Sequence, residues 1–208
     1  MEEETPTEAF TYDHPDNHVE QREQISSQLR ASLFEIPRAE WRASPRFRGE
    51  AEFWMQIHEG LLKASATLPA WLKQFQEMDD MGTMRALSPR IARLGSDLVH
   101  HAHGHHHIED HHFFPAFLRL FPQLDHALEM LDGDHKVLAE VLDDLEAAVR
   151  EFPVAPEGTD KAQSDRAMRE AWLKGAERLL SAAERLDALF IRHIGDEEEI
   201  CIPAMLQL

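Results

Sequence analysis

Two segments of the chain carry the same motif, and each lies within a long helical pattern. Residues 105–115 read HHHIEDHHFFP and residues 193–203 read HIGDEEEICIP, so both contain H-x-x-x-E-(D/E)-x-x-x-x-P. A histidine beside an acidic residue precedes each motif on an earlier helical stretch, His58 before the first and His135 before the second. The chain therefore reads as two similar helical hairpins, and this repetition favours an all-α fold.

Four stretches have apolar residues at three- and four-residue steps, the spacing of an amphipathic helix. They span residues 53–75, 88–120, 124–152 and 165–206. We expect Ser88 to cap the second helix with Pro89 at its first position, and residues 79–83 to form a turn before it. Long amphipathic helices with short connections predict an up-down-up-down antiparallel four-helix bundle.

The two predicted regions are an N-terminal arm, residues 1–47, and the bundle, residues 48–208. The arm contains several prolines among mixed polar residues. We expect it to lie on the bundle or to be partly disordered, and residues 21–34 could form a short extra helix. The arm is also a candidate contact surface for a protein partner, which its sequence does not identify.

Charge and composition exclude several function classes. The 208 residues carry a formal net charge of −18, which argues against binding to nucleic acid or to anionic membranes. Cys201 is the only cysteine, so neither a disulfide within the chain nor a thiolate metal cluster can form. The acidic N-terminus does not resemble a signal peptide, and no apolar run reaches the ~20 residues of a membrane span. We therefore expect a cytoplasmic protein; its oligomeric state is left open.

Helix phase divides the histidine-rich residues 100–112 into two classes. At ~100° per residue, positions four apart lie ~40° apart on one face. On the apolar side with His105 lie His101, Glu109 and His112. On the solvent side lie His100, His103, His107, Asp110 and His111, and His106 falls on a flank. Most of this stretch is thus predicted to be surface, and His105 is not.

The other helices place histidines in their apolar stripes without a histidine-rich background. His58 aligns with Trp54, His135 with leucines of the third helix, and His193 with Glu197 one turn later. Glu198 and Glu199 turn away from this stripe and are expected to be solvated.

Such a constellation is either a salt-bridged polar core or a metal site. Each buried polar group without a partner costs about 1–3 kcal/mol, so several of them together cost several kcal/mol. Six such groups on four facing stripes therefore favour a metal site. Two glutamates on opposite helices could each bridge two ions, and nitrogen and oxygen ligands without thiolate suit iron or manganese, with zinc as a further option. The predicted ligands are His58, His105, Glu109, His135, His193 and Glu197. His101 and His112 are further candidates, as ligands, as proton donors or as partly buried histidines at the bundle end.

Residues 50–207 resemble the hemerythrin-like (HHE cation-binding) domains through this doubled motif. The resemblance implies a four-helix bundle around two non-heme iron ions, with Glu109 and Glu197 as bridging ligands. The chain departs from the oxygen-carrying members at Ala139, where they have a second histidine, and at Glu197, which follows His193 by four residues instead of five. The pattern looks more like the bacterial and iron-sensing branches.

The function that this resemblance implies is binding or sensing of O2, or reaction with NO or peroxide, at an open iron position. We favour a binding protein over an enzyme. The alternatives are a di-iron oxidoreductase of the peroxidase or NO reductase type, and delivery of iron to other proteins or repair of their iron centres. Asp134 and Glu59 could hold ligand imidazoles or lie exposed, and Cys201 is expected to be a small core residue.

Overall fold

The computed structural model describes residues 10–154 and 162–208, and every regular element in these ranges is helical. The elements are the one-turn helices α1 (Ser27–Arg30) and α2 (Arg38–Trp41), α3 (Glu50–Gln76), α4 (Met81–Ile108), a π-helical turn (Glu109–Phe113), α5 (Phe114–Leu120), a 3-10 turn (Pro122–Leu124), α6 (Asp125–Glu151) and α7 (Ala162–Met205). The predicted all-α class is confirmed.

The four long helices surround one interior. Helix α3 packs against α4 and α7, and α6 packs against the same two helices. Each long helix therefore neighbours the next along the chain, and the last returns to the first, as in the predicted up-down-up-down bundle.

A polar layer separates two apolar clusters inside the bundle. On α6, Leu131 belongs to one cluster and Leu138 to the other, with His135 between them. On α7, Phe190 and Ile200 belong to different clusters and flank His193. The predicted ligands therefore lie between two dry regions, where their positions are fixed by packing on both sides.

The second long helix begins earlier than predicted. Asp80 caps α4, with its Oδ2 accepting a hydrogen bond of 2.7 Å from the backbone N–H of Thr83, and Pro89 lies inside the helix. The predicted cap at Ser88 is wrong because the preceding turns bury Met84 completely in the core. That packing, together with the Asp80 cap, outweighs the ~3 kcal/mol that an interior proline costs.

The described part of the arm packs on the bundle. The short helix expected within residues 21–34 is the single turn α1, and α2 adds another turn. Gly49, at a φ of 108°, turns the chain from the arm into α3. Such a φ favours glycine, since a side chain would be strained there. Residues 1–9 of the predicted arm lie outside the described residues.

Within the described residues, the helices are too short or too polar to cross a bilayer.

Candidate metal centre

Seven side chains with metal-binding atoms meet in the polar layer, in two groups. We call His58, His105, Glu109 and Glu197 the two-histidine group, and His106, His135 and His193 the three-histidine group. In each group the ligand atoms lie within 4.8 Å of one another. The structure thus brings together all six predicted ligands and adds His106.

Glu109 faces both groups with different oxygens. Its Oε1 lies 2.9 Å from Nε2 of His105 and 3.9 Å from Nε2 of His58. Its Oε2 lies 3.5 Å from Nε2 of His135 in the three-histidine group. A carboxylate directed in this way can bind one ion with each oxygen.

Glu197 lies between the groups on the opposite side. Its Oε2 is 3.4 Å from Nε2 of His58 and 3.6 Å from Nε2 of His193. Its Oε1 accepts a hydrogen bond of 2.8 Å from the indole N–H of Trp54, which fixes the carboxylate. The sequence analysis aligned Trp54 with His58 but did not identify this contact.

Several of these atoms are buried without a hydrogen-bond partner. Among the described residues they are both side-chain oxygens of Glu109, Oε2 of Glu197, and Nε2 of His135 and of His193. Each unpartnered buried group costs about 1–3 kcal/mol. Each of these atoms lies within 3.6 Å of a group of opposite type, but none forms a hydrogen bond with it. A salt-bridged polar core would align such pairs as hydrogen bonds, so the shared orientation of these atoms towards a common space fits a metal better.

Three imidazoles of the two groups have a carboxylate at Nδ1. Nδ1 of His193 lies 3.1 Å from Asp134, Nδ1 of His135 lies 2.6 Å from Asp110, and Nδ1 of His58 lies 3.3 Å from Glu198. A carboxylate at Nδ1 selects the tautomer that leaves Nε2 free to bind a metal.

These contacts correct two predictions and decide a third. Asp110 and Glu198 were expected in solvent, but Asp110 bonds to His135 and Glu198 is 4% exposed. Asp134 was left open between an imidazole partner and an exposed acid, and it is fully buried against His193. Glu59 is exposed.

His106 is a functional candidate that the sequence analysis placed on a flank. Its ring is 6% exposed and stacks on His135 with centroids 4.2 Å apart. The sequence analysis assigned to the interior only residues within ~40° of His105 on the helix. A helix in a bundle contacts two neighbouring helices, so its buried arc is wider than this, and His106 was missed. No signal in the helix phase marks His106; in the structure it lines the same cavity as Ala139.

His101 and His112 are both exposed and lie outside the two groups. For His112 the predicted core position is wrong because the π turn at Glu109–Phe113 follows Glu109 at once. A π turn contains more residues than an α turn, so the residues after it leave the phase set by His105. His101 lines the cavity outside His105.

Burial and neighbouring charges shift the pKa values at the centre. Burial lowers the pKa of His105 to about 4 and those of His106 and His193 well below their ordinary value, so these imidazoles are neutral. Burial raises the pKa of Glu197 to about 8. For His58, burial acts to lower the pKa, but the nearby carboxylates outweigh it and raise the pKa to about 10.

The donor set contains only imidazole nitrogens and carboxylate oxygens. Cys201 is buried in an apolar cluster, and burial raises the pKa of its thiol, as expected of a core residue. Five imidazoles and two carboxylates fit iron or manganese, and zinc also accepts such ligands.

The chain was compared with known protein families, curated proteins and solved structures. Residues 49–205 match the family model of the hemerythrin HHE cation-binding domain. No curated protein and no solved structure matches the chain significantly.

Proposed function

Since the chain belongs to the hemerythrin HHE cation-binding domain family, we propose that it is a cytoplasmic non-heme di-iron protein that binds or senses O2, or reacts with NO or peroxide. The family makes the chain a metal-binding protein, and the two-histidine and three-histidine groups could hold the metal.

The observation that carries the proposal is the position of Glu109. Both of its side-chain oxygens are buried and lack a hydrogen-bond partner. One oxygen faces the imidazoles of the two-histidine group and the other faces His135. A single ion would leave one oxygen of this carboxylate unsatisfied, whereas two ions satisfy both.

The two groups would leave open positions on both ions, with more of them on the side of the two-histidine group. If Glu109 and Glu197 serve both ions, the three-histidine group offers five ligands and the two-histidine group offers four. Ferrous iron commonly takes six ligands, and an open position on it binds small molecules such as O2 and NO.

A cavity of about 440 Å³ lies on the side of the two-histidine group. His105 and Glu109 form part of its wall, together with Trp54, Ile108 and Phe113. Its lining is mostly apolar, so it offers few hydrogen-bond partners to a polar substrate. This favours a small uncharged ligand and a binding or sensing role.

The second candidate is a di-iron oxidoreductase of the peroxidase or NO reductase type. The observation in its favour is His101, which lines the cavity one helical turn before His105 and is exposed to solvent. An imidazole in this position can carry protons between solvent and the cavity. Iron delivery fits less well, because His58, His193 and Glu197 are completely buried.

The test is spectroscopic. Protein loaded with Fe(II) without oxygen should change its absorption spectrum when O2 is added and recover when O2 is removed. Repeated consumption of peroxide or NO without such a reversible form would favour the oxidoreductase. An Fe(II) protein whose spectrum responds to none of O2, NO and peroxide would refute the proposal.

A further inference from the structure

The N-terminal arm lies outside the residues that match the family model, yet it supplies buried groups to the bundle. Its buried apolar side chains are Val19, Ile25, Leu29, Trp41 and Phe47. The arm also buries the guanidinium of Arg22, whose side chain is 0% exposed. A fully buried arginine requires partners of opposite charge.

The first partner of Arg22 is Asp134. Nη1 of Arg22 donates to Oδ1 of Asp134 at 2.8 Å, and Nη2 donates to Oδ2 at 2.5 Å. The hydroxyl of Tyr12 donates to the same Oδ1 at 2.9 Å. Oδ2 of Asp134 lies 3.1 Å from Nδ1 of His193. A two-point arginine contact fixes the plane of a carboxylate, so the arm determines how Asp134 meets a ligand imidazole.

Two further contacts fix the position of the arm on the bundle. Nε of Arg22 donates to Oδ2 of Asp196 at 2.8 Å, so one cation lies between two buried carboxylates. The ring of Tyr12 packs on the backbone of Gly133, where an added Cβ would lie 2.2 Å from it. Only glycine permits this approach, and it brings the Tyr12 hydroxyl to Asp134.

A second chain of contacts reaches the other ligand group. Arg38, on α2, pairs with Oε2 of Glu198, whose Oε1 lies 3.3 Å from Nδ1 of His58. The neighbouring pair of Arg30 with Glu199 has N–O atoms 2.9 Å apart, but both side chains are more than 40% exposed. The arm thus contacts one ligand imidazole of each group through a carboxylate.

We propose that the arm is a positioning element of the metal centre: Arg22 acts through Asp134 on His193, and Arg38 acts through Glu198 on His58. The inference rests on the proposed metal centre. It extends the centre beyond the family domain to residues whose own atoms touch no metal.

The first experiment compares Arg38→Met with Arg30→Met, using Zn(II) and a competing chelator. Loss of a partner behind a ligand typically weakens metal binding about 10–100-fold. Arg38 contacts Glu198 and not the imidazole itself, and its side chain is 57% exposed. We therefore expect about a threefold or greater loss of Zn(II) affinity for the more weakly bound of the two ions. Arg30→Met should stay within twofold of the wild type, since its partner Glu199 points to solvent.

The second experiment uses Arg22→Met and the milder Tyr12→Phe, which keeps the ring on Gly133. For Arg22→Met we expect about a tenfold or greater loss for one ion, with the other ion less affected. Tyr12→Phe should show a smaller loss for the same ion. Melting of the metal-free proteins is measured in parallel, because Arg22→Met also leaves the buried Asp134 without its arginine, while Asp196 keeps its pair with Arg192.

The outcomes distinguish an arm that positions the metal-binding imidazoles from an arm that only stabilises the fold. If the metal-free melting temperature falls while Zn(II) affinity stays within twofold of the wild type, the arm is only a structural brace and the inference is wrong. If Arg22→Met does not fold, Tyr12→Phe and the Arg38 and Arg30 pair decide in the same way. A wild type that binds two ions beside variants of unchanged affinity refutes this inference and leaves the proposed function intact.

Discussion

Replacing His106 with phenylalanine removes one ligand nitrogen and keeps an aromatic ring in the same place. The ring is 6% exposed and stacks on His135 at 4.2 Å, a contact that phenylalanine can also make. Exchanges of buried side chains that nearly conserve volume cost less than about 1.5 kcal/mol. For a protein of this size that lowers the melting temperature by no more than about 6 °C. We therefore expect the metal-free variant to fold.

The effect on metal binding should be much larger than this. His106→Phe leaves His135 and His193 as the imidazoles of the three-histidine group. Partners behind a ligand are already worth about 10–100-fold in affinity. Loss of a ligand itself should therefore cost about 100-fold or more, which corresponds to roughly 2.8 kcal/mol.

The assay is competition for Zn(II) with a chelator, repeated as iron content after anaerobic loading with Fe(II). The matched control is His107→Phe, because His107 is the next residue along α4 and is exposed. We expect the control to keep both ions at wild-type affinity. Equal metal binding by His106→Phe and the wild type would show that His106 is only a core residue and that the six ligands predicted from sequence are the complete set.

Three further predictions concern access, protons and stability. Gly104→Trp should slow azide binding to the Fe(II)- or Fe(III)-loaded protein about tenfold or more, because Gly104 lines the cavity and an added Cβ there meets no atom within 4 Å. The control Gly60→Trp is another helical glycine with open space around it, away from that cavity, and unchanged azide kinetics in both variants would contradict this access route. Metal loading at pH 7 should release about one to two protons, because the raised pKa values of His58, about 10, and Glu197, about 8, leave protons on the empty site that ligation displaces. Apparent affinity should therefore rise with pH from 6 to 8, and calorimetry in buffers of different ionisation enthalpy would contradict this if it detected no proton release. Free metal at 100 times its Kd stabilises the folded protein by about 2.7 kcal/mol. Metal removal at pH 7 should therefore lower the melting temperature by about 5–11 °C. Equal melting temperatures with and without metal would favour the interpretation of the polar layer as a salt-bridged core.

The bundle was predictable because its signals are local and repeated. Apolar residues at helical spacing run through all four long helices, and the doubled motif relates the two hairpins. The same periodicity placed His58, His135 and His193 in the interior, where burial is complete or nearly so. Helix starts were less predictable, since Asp80 competes with Ser88 as a cap and the packing of Met84 decides between them.

The outer parts of the site depend on which surfaces meet, and helix phase alone does not give that information. Glu198 lies outside the stripe of α7 and is buried because α2 of the arm covers it with Arg38. The π turn after Glu109 changes the phase of His112, and a constant ~100° step cannot anticipate it. Arg22 belongs to no motif, and the role proposed for it follows from a contact with Asp134 across 112 positions of the chain.

The proposed centre holds two ions between Glu109 and Glu197, so the number of iron atoms per chain is its decisive test. The protein is loaded with excess Fe(II) without oxygen, freed of unbound metal, and its iron measured by mass spectrometry against protein concentration. We predict two iron atoms per chain for the wild type and about one for Glu109→Gln, whose amide nitrogen cannot replace the second carboxylate oxygen as a ligand. One tightly bound iron per chain in the wild type, with the same value in Glu109→Gln, would rule out a dinuclear centre.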